Sequence, residues 1–200
     1  KVDADTRLKR LESNIKTVMK HDDAVMRLLS LYNVMGKYDK AIQIMDKRHF
    51  HLWEGGGQIH GIYADSHMLK GMTLLAKKNY QKAIREFDLA TQYPANLEVA
   101  PSHRGGYEAK AYYLTGEAYE GLKQTGKAEE FYQKAAGAKC PGGLNDLSYY
   151  QVKALQKLGK STEATAALKK MEDNLSRIRQ NAIDSYAKFG DSSKNEQEGN

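Results

Sequence analysis

Apolar residues recur at intervals of three and four along most of the chain. Leu8, Leu11, Ile15 and Val18 fall on one stripe, which predicts a helix from about Asp5 to Lys20. Strand-like alternation is nearly absent, and its best stretch, Gln58 to Tyr63, is short and follows three glycines. The prolines Pro94, Pro101 and Pro141 all lie outside the helical periods, so long helices are free to form almost everywhere else. The pattern is all-α.

The helices repeat. Four segments read as a helix, a short polar turn and a second helix that carries an alanine near its start and a large apolar residue four positions later. The pairs are Ala41 with Met45, Ala83 with Phe87, Ala128 with Tyr132, and Ala164 with Leu168. The turns before them are MGKYDKA, KKNYQKA, KQTGKA and LGKSTEA. A small residue at this place lets the second helix pack closely on the first.

These segments resemble the tetratricopeptide repeat family, whose unit is about 34 residues of helix, turn and helix. Residues 64–97 carry its pattern in Gly71, Leu74, Tyr80, Ala83, Phe87, Ala90 and Pro94, and residues 109–142 carry it in Tyr112, Gly116, Tyr119, Ala128, Tyr132 and Ala135. Residues 22–55 and 145–178 are degenerate, with Leu29 and Val152 at the small position of the first helix and Arg48 and Met171 at a later one. Outer repeats face a cap or solvent on one side, which relaxes their packing rules. The resemblance implies an all-α, right-handed superhelical array of about four repeats, with an N-terminal helix and a C-terminal capping helix, over residues 1–189.

The spacing departs from the family's. The anchor alanines lie 42, 45 and 36 residues apart, so two inter-repeat connections are long. In a helical solenoid such insertions emerge together on one edge, and long connections are commonly functional. The first contains RHFHLWEGGGQIHGIYADSH and the second YPANLEVAPSHRGGYE. At the C-terminus Leu175, Ile178, Ala182, Tyr186 and Phe189 continue the helical stripe as a cap. Gly190 is expected to end it, leaving residues 190–200, which hold no apolar side chain, as a disordered tail.

Composition narrows the function. The 200 residues are 40% hydrophobic and 28% charged, the balance of a soluble globular protein. No apolar run is long enough to cross a membrane. The first residues, KVDADTRLKR, hold no apolar signal core, which fits a mature protein or a segment of a longer one. The net charge of +6 is spread thinly, with acidic residues interleaved throughout, unlike the concentrated basic face of a nucleic-acid binder. The single cysteine, Cys140, excludes an internal disulfide and leaves cytoplasmic and bacterial extracytoplasmic compartments both open.

Catalytic patterns are missing: there is no GxSxG, no HExxH, and the triple glycine lacks the Lys-Ser/Thr of a phosphate loop. The first connection nevertheless gathers Trp53, Glu54, Gly55 to Gly57 and the histidines His49, His51, His60 and His67. Trp53 offers a flat apolar face and Glu54 a polar contact for a partner, or Phe50, Leu52 and Trp53 fold back to plug the space between repeats. An extended His49-x-His51 puts both imidazoles on one side, where Glu54 could complete a metal site. That spacing is weakly specific, and the sequence by itself assigns no metal and no cofactor.

The resemblance also implies a concave groove lined by the first helix of each repeat. Carried over residue by residue, it includes Met68 and Met72, then Tyr113 and Glu117, then Tyr149 and Lys153. Such a mixture suits an extended peptide or a neighbouring domain of the same polypeptide. The Lys, Asn and Arg set of chaperone-binding members is not supplied. The run FHLWEGGGQIHGIYADSHMLKG followed by YPANLEVAP is similar to the helical region that follows a β-rich domain in large bacterial proteins, some linked to carbohydrates. The expected function is a non-catalytic protein-binding scaffold acting through Trp53, Glu54, Met68, Met72, Tyr113, Glu117, Tyr149 and Lys153. The alternative is an accessory domain of a carbohydrate-active protein, with Trp53, Tyr63 and Tyr107 stacking on sugars.

Overall fold

The computed structural model describes residues 2–51, 58–101, 106–139 and 146–197, with the side chains of 146–147 and 187–197 left aside. Two short helices, α1 (Ala4–Ser13) and α2 (Ile15–Val18), lead into four antiparallel helix pairs. These are α3 (Asp22–Val34) with α4 (Tyr38–Lys47), α5 (Gln58–Ala76) with α6 (Tyr80–Leu89), α7 (Glu108–Gly121) with α8 (Thr125–Gly137), and α9 (Asp146–Lys157) with α10 (Ser161–Gln197). The fold is an all-α array of tetratricopeptide-like repeats, and no strand occurs among the described residues.

One turn geometry makes all four hairpins. Each first helix ends on a residue in the left-handed conformation, Gly36 (φ 69°), Lys78 (59°), Lys123 (59°) or Gly159 (72°). The N–H of the next residue reaches five positions back: Lys37 to Tyr32 O at 2.8 Å, and Asn79 to Leu74 O, Gln124 to Tyr119 O and Lys160 to Leu155 O each at 2.9 Å. The left-handed residue's own N–H reaches three positions back (Gly36 to Asn33 O and Gly159 to Gln156 O at 3.1 Å, Lys78 to Leu75 O and Lys123 to Glu120 O at 2.9 Å), and this double closure is the Schellman motif, which satisfies the orphan carbonyls of the helix end. Five residues after each left-handed position stands an anchor alanine. Ala41, Ala83, Ala128 and Ala164 are all at most 2% exposed, so each marks a close helix crossing, as the repeat reading expects.

In the central hairpins the packing is tighter still. A Cβ built on Gly71 would lie 2.5 Å from the Phe87 ring, and one on Gly116 would lie 2.5 Å from the Tyr132 ring. The glycine of the first helix is thus the seat of the aromatic on the second. Two cores result. Leu8, Val25, Leu28, Leu29, Met45 and Phe50 belong to the N-terminal one, and Phe87, Tyr113, Leu114 and Tyr132 to the central one.

Several sequence expectations shift. The first helix breaks at Asn14 (φ −111°, ψ 27°), whose side-chain N–H₂ donates to Arg10 O at 2.9 Å and competes with the helix ladder. Leu8 and Val18 are buried while Ile15 stays 38% exposed. Gln58 to Tyr63, the best strand-like stretch, opens α5 instead; that helix packs on α3, α4, α6 and α7, and burial on several sides blurs its periodicity. The capping helix α10 packs its start on α9, with Ala164 buried. It then continues past Gly190 to Gln197, where the sequence predicted a stop and a disordered tail. A lone glycine costs a helix only about 1 kcal/mol, and no proline follows to end it. Leu175, Ile178 and Tyr186, on the predicted sealing stripe, are 50%, 49% and 82% exposed.

Candidate protein-binding groove

The inner helices α7 and α9 lie side by side, and i, i+4 spacing places their functional side chains in one row. On α7, Tyr113 Oη donates to Glu117 Oε1 at 2.9 Å. Burial, followed by that carboxylate, pushes the Tyr113 phenol well above its ordinary value, so it stays a neutral donor. Across the groove on α9, the Lys153 ammonium sits 4.6 Å from the Tyr113 ring centroid and 5.9 Å from each of the Tyr149 and Tyr150 rings. One turn on, Lys157 Nζ pairs with Glu120 Oε2 at 2.6 Å and lies over the Tyr132 ring at 5.4 Å. Lys110 lies over Tyr150 at 5.4 Å. The wall is a ladder of alternating rings, ammonium groups and carboxylates. Each cation over a ring contributes on the order of 0.5–1 kcal/mol where it is exposed.

Tyr113, Glu117, Tyr149 and Lys153 therefore come together as one cluster. Their roles differ by exposure: Tyr149 is 49% exposed, whereas Tyr113 is 2% exposed and packs on Tyr132 and Tyr150 at 5.5 Å each. Tyr113 is thus a platform under Glu117 and Lys153, and Tyr149 is the ring that presents itself. Met68, 1% exposed, belongs to the central core, and Met72 is half-buried against it. Trp53 and Glu54 lie outside the described residues, as does Cys140. Tyr150 was missed by the sequence reading; it sits one residue past Tyr149 and is turned towards Tyr113 by the helix's 100° step.

The histidines of the first connection separate into three environments. His60 stacks on Tyr93 (3.8 Å, 4° between planes) and bonds to Gln92 O at 3.0 Å. His67 pairs through Nδ1 with Glu86 Oε2 at 2.7 Å, and Lys70 bridges Glu86 and Asp39 at 2.8 Å each. Burial raises the Glu86 carboxyl, but the bonds from His67 and Lys70 and their charges outweigh it and leave the group below its ordinary 4.5. His49 and His51 stay exposed and meet Glu98 from the second connection, at 2.6 and 3.8 Å.

Comparison with known proteins agrees with the repeat geometry at its centre. The family model described as tetratricopeptide repeat matches residues 64–96 and 109–139. Those are the two hairpins in which a glycine seats an aromatic ring. Among solved structures, a crystal structure of MamA is 19% identical over 86% of each chain, with a TM-score of 0.41. MamA 41-end from Desulfovibrio magneticus RS-1 is 18% identical over 87% of this chain and 86% of that one, with a TM-score of 0.41. The repeat assignment rests on the family match and on the turns and glycine seats described above. No helix among the described residues is long and apolar enough to cross a membrane.

Proposed function

We propose that the chain is a non-catalytic protein-binding scaffold whose α7–α9 wall receives an extended peptide or a neighbouring domain, with the Trp53–Glu54 segment as a further contact. The observation that carries this reading is Lys153 shared among three tyrosine rings beside the half-exposed Tyr149. Such a wall is held in place before any partner arrives, which lowers the ordering cost of binding. Tyr149 supplies an apolar anchor with a polar tip, and Lys153, Glu117 and Glu120 supply charges that fix register. The reading in which tyrosines stack on sugars is less well supported, because Tyr63 is 4% exposed and packs edge-on with His67 at 4.5 Å.

The test is selection of peptides from a random library on the intact chain, followed by titration of the enriched peptides. Tyr149→Ala and Lys153→Glu are expected to weaken them by about tenfold or more, the ordinary yield of a central anchor. Ile183→Ala, on the exposed part of α10, leaves them unchanged. Trp53→Ala separates the loop's contribution from that of the wall. Binding indifferent to both wall variants ends the proposal.

A further inference from the structure

The backbone around His49, His51 and Glu98 is more firmly built than an exposed surface cluster requires. The chain leaves α4 through an extended Arg48 (φ −107°, ψ 138°), and exposure then alternates: His49 and His51 are exposed while Phe50 between them is 2% exposed and lies in the core. Phe50 N–H donates to Asn96 O at 2.8 Å, and the Asn96 amide donates to Met45 O and Arg48 O at 2.7 Å each. Asp22, 4% exposed, accepts the His51 N–H at 3.1 Å and pairs with Arg48. On the other side a 3-10 turn, Ala95–Leu97, delivers Glu98 in the left-handed conformation (φ 51°). Both segments are therefore locked to each other before their outward side chains are considered.

Those side chains converge. One ligand atom from each of His49, His51 and Glu98 lies within 4.8 Å of the others. His49 Nε2 is 2.6 Å from Glu98 Oε1, and His51 Nδ1 is 3.8 Å from the same oxygen. A tetrahedral zinc ion with bonds of about 2.0–2.2 Å sets its donors roughly 3.3 Å apart, which lies between these separations. Two imidazoles and a carboxylate form a borderline donor set suited to Zn²⁺ rather than to Ca²⁺ or Mg²⁺, which need more oxygens.

From this geometry we infer that His49, His51 and Glu98 form a Zn²⁺ site that clips the first inter-repeat connection to the second. The ion takes the place of the proton between His49 Nε2 and Glu98: a neutral His49 ring ligates as its Nδ1–H tautomer, and a protonated ring releases the Nε2 proton to water as the metal binds. Among the described residues no side chain takes the fourth position. It borders a cavity of about 740 Å³ lined by His49, His51, Lys47, Arg48 and Asp22, so water or a partner's side chain completes the shell. Asp22 acts as a positioning residue, because it holds the His51 backbone and not the ion.

Isothermal titration of the tag-free full chain with ZnSO₄, paired with thermal unfolding, tests this. One zinc per chain is expected, with a rise in Tm that grows with zinc concentration. Glu98→Gln and His49→Ala are each expected to lower the affinity about tenfold or more and to abolish the rise in Tm, while circular dichroism shows the helices retained. His21→Ala, outside the cluster, is the control and keeps both signals. Substitution with Co²⁺ gives the intense visible band of a tetrahedral site in the wild type and loses it in Glu98→Gln. An absence of stoichiometric binding, or binding that Glu98→Gln and His49→Ala leave intact, overturns the inference.

Discussion

The central and outer hairpins share one turn and differ in what lies beneath it. In α5–α6 and α7–α8 a glycine faces an aromatic ring, Gly71 under Phe87 and Gly116 under Tyr132, with ring carbons where a methyl group would stand. In α3–α4 the same places hold Leu29 and Met45, both buried, and in α9–α10 they hold Val152, buried, and Leu168, 37% exposed. The left-handed cap and the anchor alanine recur in all four. Turn geometry therefore defines the hairpin, whereas the glycine seat sets how closely its helices approach. Where that seat is missing, bulkier apolar pairs fill the space or the second helix runs into solvent.

The largest expected effect breaks this comparison most directly. Phe87→Ala empties a fully buried seat and should destabilise by about 3–5 kcal/mol, whereas Leu168→Ala should cost less than about 1 kcal/mol because its side chain already meets water. Urea unfolding of the two variants decides it; equal losses would mean that the outer hairpin is as firmly packed as the central one. Next in size is Gly116→Ala. Its methyl would lie 2.5 Å from a Tyr132 ring carbon, so overpacking of about 1–3 kcal/mol is expected. Gly126→Ala, in α8 with nothing within 4 Å of the added carbon, should instead stabilise by about 0.5–1 kcal/mol. If both substitutions shift the urea midpoint in the same direction, helix propensity and not the aromatic seat governs these glycines.

What the sequence revealed follows the same division. The anchor alanines, and Gly71, Phe87, Gly116 and Tyr132 as members of the repeat pattern, were legible because each stands at a fixed spacing, and all are buried; that each glycine seats a ring shows only in the packing. The meeting of the two long connections was legible only as an expectation about insertions on one edge. That Glu98 joins His49 and His51 was not legible, since it lies 47 positions and a complete hairpin beyond His51. The groove was half visible: helical spacing chose Tyr113, Glu117, Tyr149 and Lys153, but could not show that Met68 and Tyr113 lie under the surface. Burial there depends on which neighbouring helix covers a residue, and that is a tertiary property.

A smaller effect sharpens the comparison at the turns. Two hairpins put glycine in the left-handed position, Gly36 and Gly159, and two put lysine there, Lys78 and Lys123. A residue with a Cβ pays roughly 1–2 kcal/mol in that conformation, part of which glycine returns through its greater freedom when unfolded. Lys78→Gly and Lys123→Gly should each stabilise by about 0.5–1 kcal/mol, visible as a rise in the urea midpoint at constant slope. Gly36→Lys should do the reverse. A loss of stability on Lys123→Gly would show that these lysines hold the turn through their side chains.

The smallest expected effect is a pH dependence seated in the central pair α5–α6. Burial against Tyr93 holds the His60 imidazole below its ordinary 6.5, with only partial return from the Gln92 carbonyl and the Glu108 charge. The folded chain keeps His60 neutral while the unfolded chain takes up a proton near 6.5. Stability from this group is therefore complete above 6.5 and falls as pH drops from there towards the folded value. Glu86 works in a lower window: its carboxyl is held below 4.5, so its contribution persists above 4.5 and is lost as pH falls through the folded value. Urea midpoints measured against pH should show two successive declines. His60→Gln should remove the upper one, whereas Glu86→Gln should only shrink the lower one, to which Asp22, held low by the His51 N–H and Arg48 against its burial, also contributes; an upper decline that survives His60→Gln would move that step away from the central hairpin.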